Sequence, residues 1–256
     1  MSCPAAPQKS GSIQILGLNL HPVSVDEVHE FIEGVIRNGQ KARVLHLNIH
    51  GVTLALRQDW LKHFFNEAEL VFCDGDGVRW GARLLGLAIP PKITYDRWIW
   101  RLADFSARKH YRLFFLGARP GAAEEAARRL KSQNPQLDIV GTHHGYFPQE
   151  GEENELVIAL INRLAPDILM VGLGMPIQEE WLRRNWQRLN VHVFLTGGAV
   201  FDYASGCSKR APEWMIRAEM EWLFRFLQEP QRLFARYAFD IPYFFLQVFR
   251  EKLKKR

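Results

Sequence analysis

The sequence predicts an α/β protein: a mostly parallel sheet with flanking helices and a C-terminal helical appendage. Three observations carry this expectation. Apolar runs of strand length alternate with amphipathic stretches of helix length, glycines and acids gather where those strands end, and the composition changes near residue 212. Alternation of this kind favours parallel strands joined by crossover helices, with a ligand crevice at the strands' carboxyl ends.

Taken in order, residues 13–20 read as a first strand, and Ser24-Val-Asp-Glu27 reads as a capping box opening a helix with Val28, Phe31, Ile32 and Val35 on one face. Further strands are expected over 44–48, 70–73, 112–117, 137–141, 168–172 and 191–195. Helical patterns separate most of them, notably over 78–85, 121–130 and 152–164. No internal repeat or low-complexity segment interrupts the pattern. We divide the chain into a flexible N-terminus (1–12), an α/β catalytic core (13–211) and an appendage (212–256).

Length and composition narrow the class. A chain of 256 residues supports one large or two modest domains with a sizeable core. No apolar run approaches the ~20 residues that span a bilayer, and the first twelve residues lack the apolar segment of a secretory signal, so a cytoplasmic location is expected. Cys3, Cys73 and Cys207 are too scattered for a disulfide framework or a zinc cluster. A formal charge of +5 and a pI near 9.2 point to an anionic partner without saying which. Position is more informative. From Glu213 onward 11 of 44 residues are aromatic, and from Gln231 onward seven Lys or Arg stand against two acids, which suits either packing on the core or an interfacial helix on anionic lipid.

The candidate chemistry lies at the strand ends. Leu70-Val-Phe-Cys-Asp74-Gly-Asp76-Gly77 places acids after a strand, open to three readings: a structural turn, a metal-binding Asp-x-Asp, or a general base needing one carboxylate within reach of an acceptor hydroxyl. The turn holding Gly172, Gly174 and Pro176 leads into a helix carrying Gln178 and Glu179, an arrangement that offers backbone N–H groups to a diphosphate. Tyr146, beside Gly145, is suited to stack on a base, and Asp202 follows another glycine pair. The strand, turn and helix over 112–125 read as architectural. His143 and His144, adjacent on extended backbone, point apart and make a poor metal pair. No Gly-x-Ser-x-Gly elbow, Walker loop or His-Glu-x-x-His is present. A dinucleotide-dependent enzyme would need a Gly-x-Gly-x-x-Gly that Leu16-Gly-Leu-Asn-Leu-His lacks. A binding module for nucleic acid or another anionic polymer is suggested by charge alone, and the basic residues gather in the tail rather than at the strand ends.

Together these motifs resemble one family. Asn48, Asp74-Gly-x-Gly77, Phe115-Leu-Gly-Ala-x-Pro-Gly121, Gly145-Tyr-Phe147, Asp167-Ile-Leu-x-Val-Gly-Leu-Gly-x-Pro-x-Gln-Glu179, Gly197-Gly-Ala-x-Phe-Asp202, Arg210-Ala-Pro-x-Trp214, Glu221-Trp-Leu-x-Arg225 and Glu229-Pro230 occur in the order of the WecG/TagA/CpsF bacterial glycosyltransferases, over roughly residues 13–240. The resemblance implies a Rossmann-like core and inverting transfer from a UDP-sugar donor to a polyprenyl-diphosphate-linked acceptor at the inner face of the cytoplasmic membrane. It implies no nucleic-acid partner, no cofactor and no metal. By motif, Asp74 matches the base, Asn48 an active-site neighbour, Gln178 a donor-site residue, and Gly145, Tyr146 and Asp202 the nucleotide pocket; Gly172 and Gly174 join the donor site. Arg225 and Arg232, with Arg236 as a looser match, correspond to appendage arginines that close over the diphosphate.

Three departures cluster around the sugar and acceptor. His46 stands where the family commonly has Thr, Lys92 where it has Arg, and Ile93-Thr-Tyr-Asp96 is one residue short. Lys92 can still neutralise a leaving diphosphate, as a point charge rather than a bidentate fork. The resemblance therefore assigns no particular sugar; a hexose fits as well as an N-acetylhexosamine. The expected mechanism is a single displacement with Asp74 as base, giving a β-linked product from an α-linked donor. Homo-oligomerisation is left open.

Overall fold

Local sequence signals account for the first elements of the computed structural model, which describes residues 11–87, 92–218 and 220–254, the side chains of residues 232, 235 and 236 excepted. The expected first strand is two. Leu16 and Gly17 take positive φ and turn the chain, so Ile13–Ile15 (β1) and Leu18–Leu20 (β2) form an antiparallel hairpin apart from the main sheet. Period-2 apolarity did not distinguish one strand from two short ones with a turn between them. The capping box opens Val25–Arg37 (α1): Ser24 accepts from the Glu27 N–H, and Glu27 reaches back to the Ser24 N–H at 2.8 Å.

The main elements follow as Ala42–Leu47 (β3), Ile49–Ala55 (α2), Asp59–Asn66 (α3), Leu70–Cys73 (β4), Asp76–Leu84 (α4), Tyr95–Lys109 (α5), Arg112–Gly117 (β5) and Ala122–Gln133 (α6). Then come Asp138–His143 (β6), Gly151–Leu164 (α7), Ile168–Gly172 (β7), Ile177–Asn185 (α8), Val193–Thr196 (β8) and Val200–Ala204 (α9). The appendage is Glu213–Arg217 (α10), Glu221–Gln228 (α11), Pro230–Ala235 (α12), a π-helical turn over Arg236–Asp240, and Ile241–Lys254 (α13).

Six strands form one sheet in the order β4-β3-β8-β7-β5-β6, and every neighbouring pair is parallel. Successive side chains on each strand enter different cores, as strand periodicity requires. Phe115, Met170 and Leu195 pack with α1, α5, α6 and α9, whereas Phe114, Leu169 and Phe194 pack with α2, α3, α4, α7 and α8. After β3 the chain leaves to the α2 side of the sheet, and after β8, its neighbour, it leaves to the α9 side. Such a switch point opens a crevice beyond the strands' carboxyl ends.

The appendage docks partly on this frame. Phe244 and Val248 of α13 are fully buried in the core on the α2 side, and Gly81 of α4 leaves the space that the Phe244 ring fills. Within the π-helical turn, Asp240 accepts from His50 Nδ1 at 2.6 Å and lies 3.8 Å from Arg57, which itself sits under the Tyr243 ring. Aromatic residues expected to face a bilayer are thus divided: Phe244 belongs to the core, while Trp222, Phe234, Phe239 and Phe249 are exposed. Among the described residues no helix is long and apolar enough to cross a membrane. Residues 1–10, Lys255 and Arg256 lie outside the description.

Candidate active site

Asp74 follows the last residue of β4, and Asn48 follows the last residue of the adjacent β3. Their backbones are joined there, the Asp74 N–H donating to the Leu47 carbonyl at 3.0 Å. Asn48 caps α2, its Oδ1 accepting from the Gly51 N–H at 3.0 Å, and its side chain also hydrogen-bonds the Asp74 carboxylate. Gly75, at φ 86°, turns the chain into α4 in a conformation that L side chains rarely adopt, and a Cβ on Gly77 would strike Ile49. The two glycines therefore bring the α4 and α2 starts together and leave Asp74 on the floor between them.

The electrostatics of this floor suit proton transfer. Burial pushes the Asp74 carboxyl up to about 6, and the charge of Asp96 adds to the rise; Arg225, the Asn48 hydrogen bond and Lys92 pull the other way. Arg225 comes from α11, its guanidinium 5.5 Å from the Tyr203 ring centroid. The appendage thus supplies a cation to the Asp74 end of the crevice. Side chains of Arg232 and Arg236 lie outside the described residues.

Lys92 is held by two acids. Its Nζ donates to Asp76 at 2.5 Å and to Glu221 of α11 at 3.3 Å, while Asp76 also binds Arg79 at 2.9 Å. Against burial, these carboxylates hold the ammonium above its usual range. Asp74 and Asp76 therefore take different partners, the first Asn48 and the second Lys92 with Arg79, although they are two residues apart.

His46 faces the interior. It is buried, its Nδ1 lies 2.8 Å from the Thr196 carbonyl and so donates to it, and burial lowers its pKa to about 4. The ring ties β3 to β8 as a neutral group and packs edge-on to Tyr95, with centroids 5.1 Å apart. Gln178 is likewise fully buried: its Oε1 accepts from the Gly198 N–H at 3.0 Å, and its Nε2 donates to Glu179 at 2.8 Å. Gln178 thus fixes the turn after β8 from the helix after β7. Burial pushes Glu179 up to about 8, and its Oε2, like the Tyr95 hydroxyl, has no hydrogen-bond partner among the described residues.

Glycines set the far end. Gly172 leaves no room for a Cβ against Phe201 and the Gly198 carbonyl, and Gly174, at φ +81°, borders open space. A Cβ on Gly145 would lie 2.7 Å from Leu173 and 3.2 Å from the Gly117 Cα. Tyr146, next in sequence, is 74 % exposed, so its ring is available to a ligand. Arg119, in the turn after β5, is raised above its usual range by Cys207, with smaller contributions from Asp202 and Tyr146.

The fold thus gathers Asp74, Asn48, Lys92 and Arg225 at one end of the crevice, while Gly172 ends β7, Gly174 lies in the turn that follows and Gln178 is on α8. Sequence reasoning missed Asp96, Arg119, Tyr203 and Glu221. Glu221 was detectable: it stands four residues before Arg225, a spacing that puts both on one helix face. Arg119 was hidden in a turn that reads as architecture.

The model of the glycosyl transferase WecG/TagA/CpsF family matches residues 13–256. An N-acetylglucosaminyldiphosphoundecaprenol N-acetyl-beta-D-mannosaminyltransferase of Bacillus subtilis is 30% identical over 192 residues, covering 75% of this chain and 72% of that protein. The protein of the same name in Staphylococcus aureus strain MW2 is 25% identical over 247 residues, covering 96% and 95%. The chain belongs to the WecG/TagA/CpsF family of glycosyl transferases.

Proposed function

We propose that this chain is an inverting glycosyltransferase that moves a sugar from a UDP-sugar to a polyprenyl-diphosphate-linked saccharide during assembly of a cell-wall polymer or exopolysaccharide. The observation that carries the reading is the Asp74 site: a carboxyl raised to about 6, fixed by Asn48 and faced by Arg225. A base of this strength is mostly ionised at neutral pH yet accepts a proton readily. Asp74 takes the proton of the acceptor hydroxyl as that oxygen attacks the anomeric carbon and UDP departs from the opposite face. Arg225, Lys92 and the appendage arginines Arg232 and Arg236 offset the charge growing on the diphosphate.

Gly145, Tyr146 and Asp202 hold the nucleoside, and the Gly172–Gly174 turn lies along the diphosphate. The relatives' names make N-acetylmannosamine the first donor sugar to try and N-acetylglucosamine on a lipid diphosphate the first acceptor. Because His46 and Lys92 depart from the family pattern, the donor panel extends to UDP-hexoses. We place the enzyme at the inner face of the cytoplasmic membrane, with the exposed aromatic side chains of α11 to α13 in the lipid interface and Arg250, Lys252 and Lys254 toward anionic headgroups. The test is UDP release by the purified chain over a panel of UDP-sugars with a lipid-linked acceptor, with and without EDTA. Turnover on one pairing that survives EDTA is expected; activity lost to EDTA and restored by Mg²⁺ or Mn²⁺ would replace this mechanism with a metal-dependent one.

A further inference from the structure

Beside the Asp74 floor, on the α5 side of the sheet, lies a cavity of about 320 Å³ lined by Asp96, Arg97, Trp100, Tyr203, Ser208 and Arg210. Its size is at the lower end for small-ligand sites, enough for a sugar ring rather than a nucleotide. Three features mark it as built for a polar ligand. The Asp96 side chain is 7% exposed and pairs through Oδ2 with Arg210 Nε at 2.8 Å, which sets a carboxylate and a guanidinium side by side in the lining. Arg210 and Arg97 are in turn held by Glu213, at 3.5 and 3.2 Å, which fixes the rim. Trp100 contributes an indole to the wall.

The cavity shares Tyr203 with the Arg225 side of the Asp74 site. Tyr203 lines it and also carries Arg225 over its ring. Asp96 and Arg225 are both close enough to Asp74 to shift its proton affinity, in opposite directions.

We propose that this cavity is a pyranose subsite: the Trp100 indole meets the C–H face of a sugar ring, the Asp96 carboxylate accepts from one ring hydroxyl, and Ser208 and Arg210 bind another. An aromatic wall with a carboxylate and a guanidinium at its edge matches a ring whose faces are apolar and whose rim is hydroxylated. The proposal rests on the glycosyltransferase reading and deepens it, since the ring belongs either to the donor sugar or to the acceptor saccharide.

The test uses three variants of the full chain: Asp96→Asn, Trp100→Ala, and Ser208→Leu, which fills the cavity from an exposed turn and spares the core. Steady-state UDP release with UDP-N-acetylmannosamine and an N-acetylglucosamine lipid diphosphate gives the two KM values, and calorimetry gives the Kd for UDP alone. The expected result is a tenfold or greater rise in one KM with the UDP Kd unchanged within twofold, and the KM that moves identifies the ring's source. Both KM values within twofold of wild type in all three variants, or a UDP Kd that rises in step, would overturn the proposal. Turnover by the wild type separately tests the transferase reading. Should the wild type release no UDP, saturation-transfer NMR with N-acetylmannosamine and N-acetylglucosamine decides: a sugar signal lost in Trp100→Ala and Ser208→Leu supports the subsite, and no signal with wild type, or an equal one in the variants, overturns it.

Discussion

Replacing Asp74 with Asn keeps the shape of the side chain and removes its ability to accept a proton. Loss of a positioned base costs ~10²- to 10⁴-fold in rate, about 2.7 to 5.4 kcal/mol of transition-state stabilisation. The surroundings give a second, finer expectation. With the carboxyl raised to about 6, kcat/KM in the wild type should climb tenfold per pH unit below about pH 6 and level off above it. Arg225 is the largest influence holding that value down, and the Asn48 hydrogen bond is another. Removing either favours the protonated acid, so Arg225→Gln and Asn48→Ala should each move the acidic limb toward higher pH, in addition to any loss in maximal rate. Initial rates of UDP release from pH 4.5 to 9, with unchanged UDP affinity as the control for Asp74→Asn, check all three. A variant Asp74→Asn that retains more than a tenth of the wild-type rate, or a limb that stays in place when Arg225 is removed, would refute the assignment.

Three other outcomes are expected. Glu179, raised to about 8 by burial, binds a proton in the folded state that the unfolded chain has released, so between the ordinary carboxylate range and pH 8 stability should fall as pH rises; Glu179→Gln should flatten that fall in Tm, and an unchanged slope would contradict the buried neutral acid. Phe244→Ala removes a fully buried ring from the seam between α13 and α4 and should cost roughly 3–5 kcal/mol in denaturant unfolding, whereas a loss below about 1 kcal/mol would mean that the appendage does not share the core's cooperativity. Replacing Arg250, Lys252 and Lys254 with Gln should weaken cosedimentation with anionic liposomes by up to ~1 kcal/mol per residue, and the remaining association should be less sensitive to salt than that of the wild type; equal binding to neutral and anionic vesicles by the wild type would remove the lipid-docking role of α13.

The parts of the fold that sequence made legible were those governed by short-range physics. The strands over 70–73, 112–117 and 168–172 match β4, β5 and β7 because continuous apolar runs bounded by glycine or acid leave little choice of register. The capping box at Ser24 predicted the start of α1 for the same reason. Misreadings arose where a long-range contact decides. Leu16 and Gly17 break the first strand because a hairpin is packed over α3, with Asn19 and Asn66 hydrogen-bonded at 2.8 Å, a pairing 47 residues apart that no local pattern announces. The site was partly legible: acids and glycines after strands pointed to the crevice, and family motifs picked out Asp74, Asn48 and Arg225. Side-chain pairing was not. Nothing in the spacing of Asp76, Lys92 and Glu221 indicates that Lys92 bridges two carboxylates, or that Gln178 turns inward to hold Gly198. The cavity at Asp96 combines α5 with a loop more than 100 residues later, and only the tertiary structure brings Trp100 and Arg210 to one wall.

The central claim, that Asp74 serves a single displacement from a UDP-sugar to a lipid-linked saccharide, is tested most directly by product analysis. The purified chain is incubated with UDP-N-acetylmannosamine and an N-acetylglucosamine lipid diphosphate, and the product is read by mass spectrometry and by NMR at the new anomeric centre. The account predicts a mass gain of one N-acetylhexosamine with β configuration from the α-linked donor, abolished in Asp74→Asn. An α-linked product, or equal yield from Asp74→Asn, would contradict it.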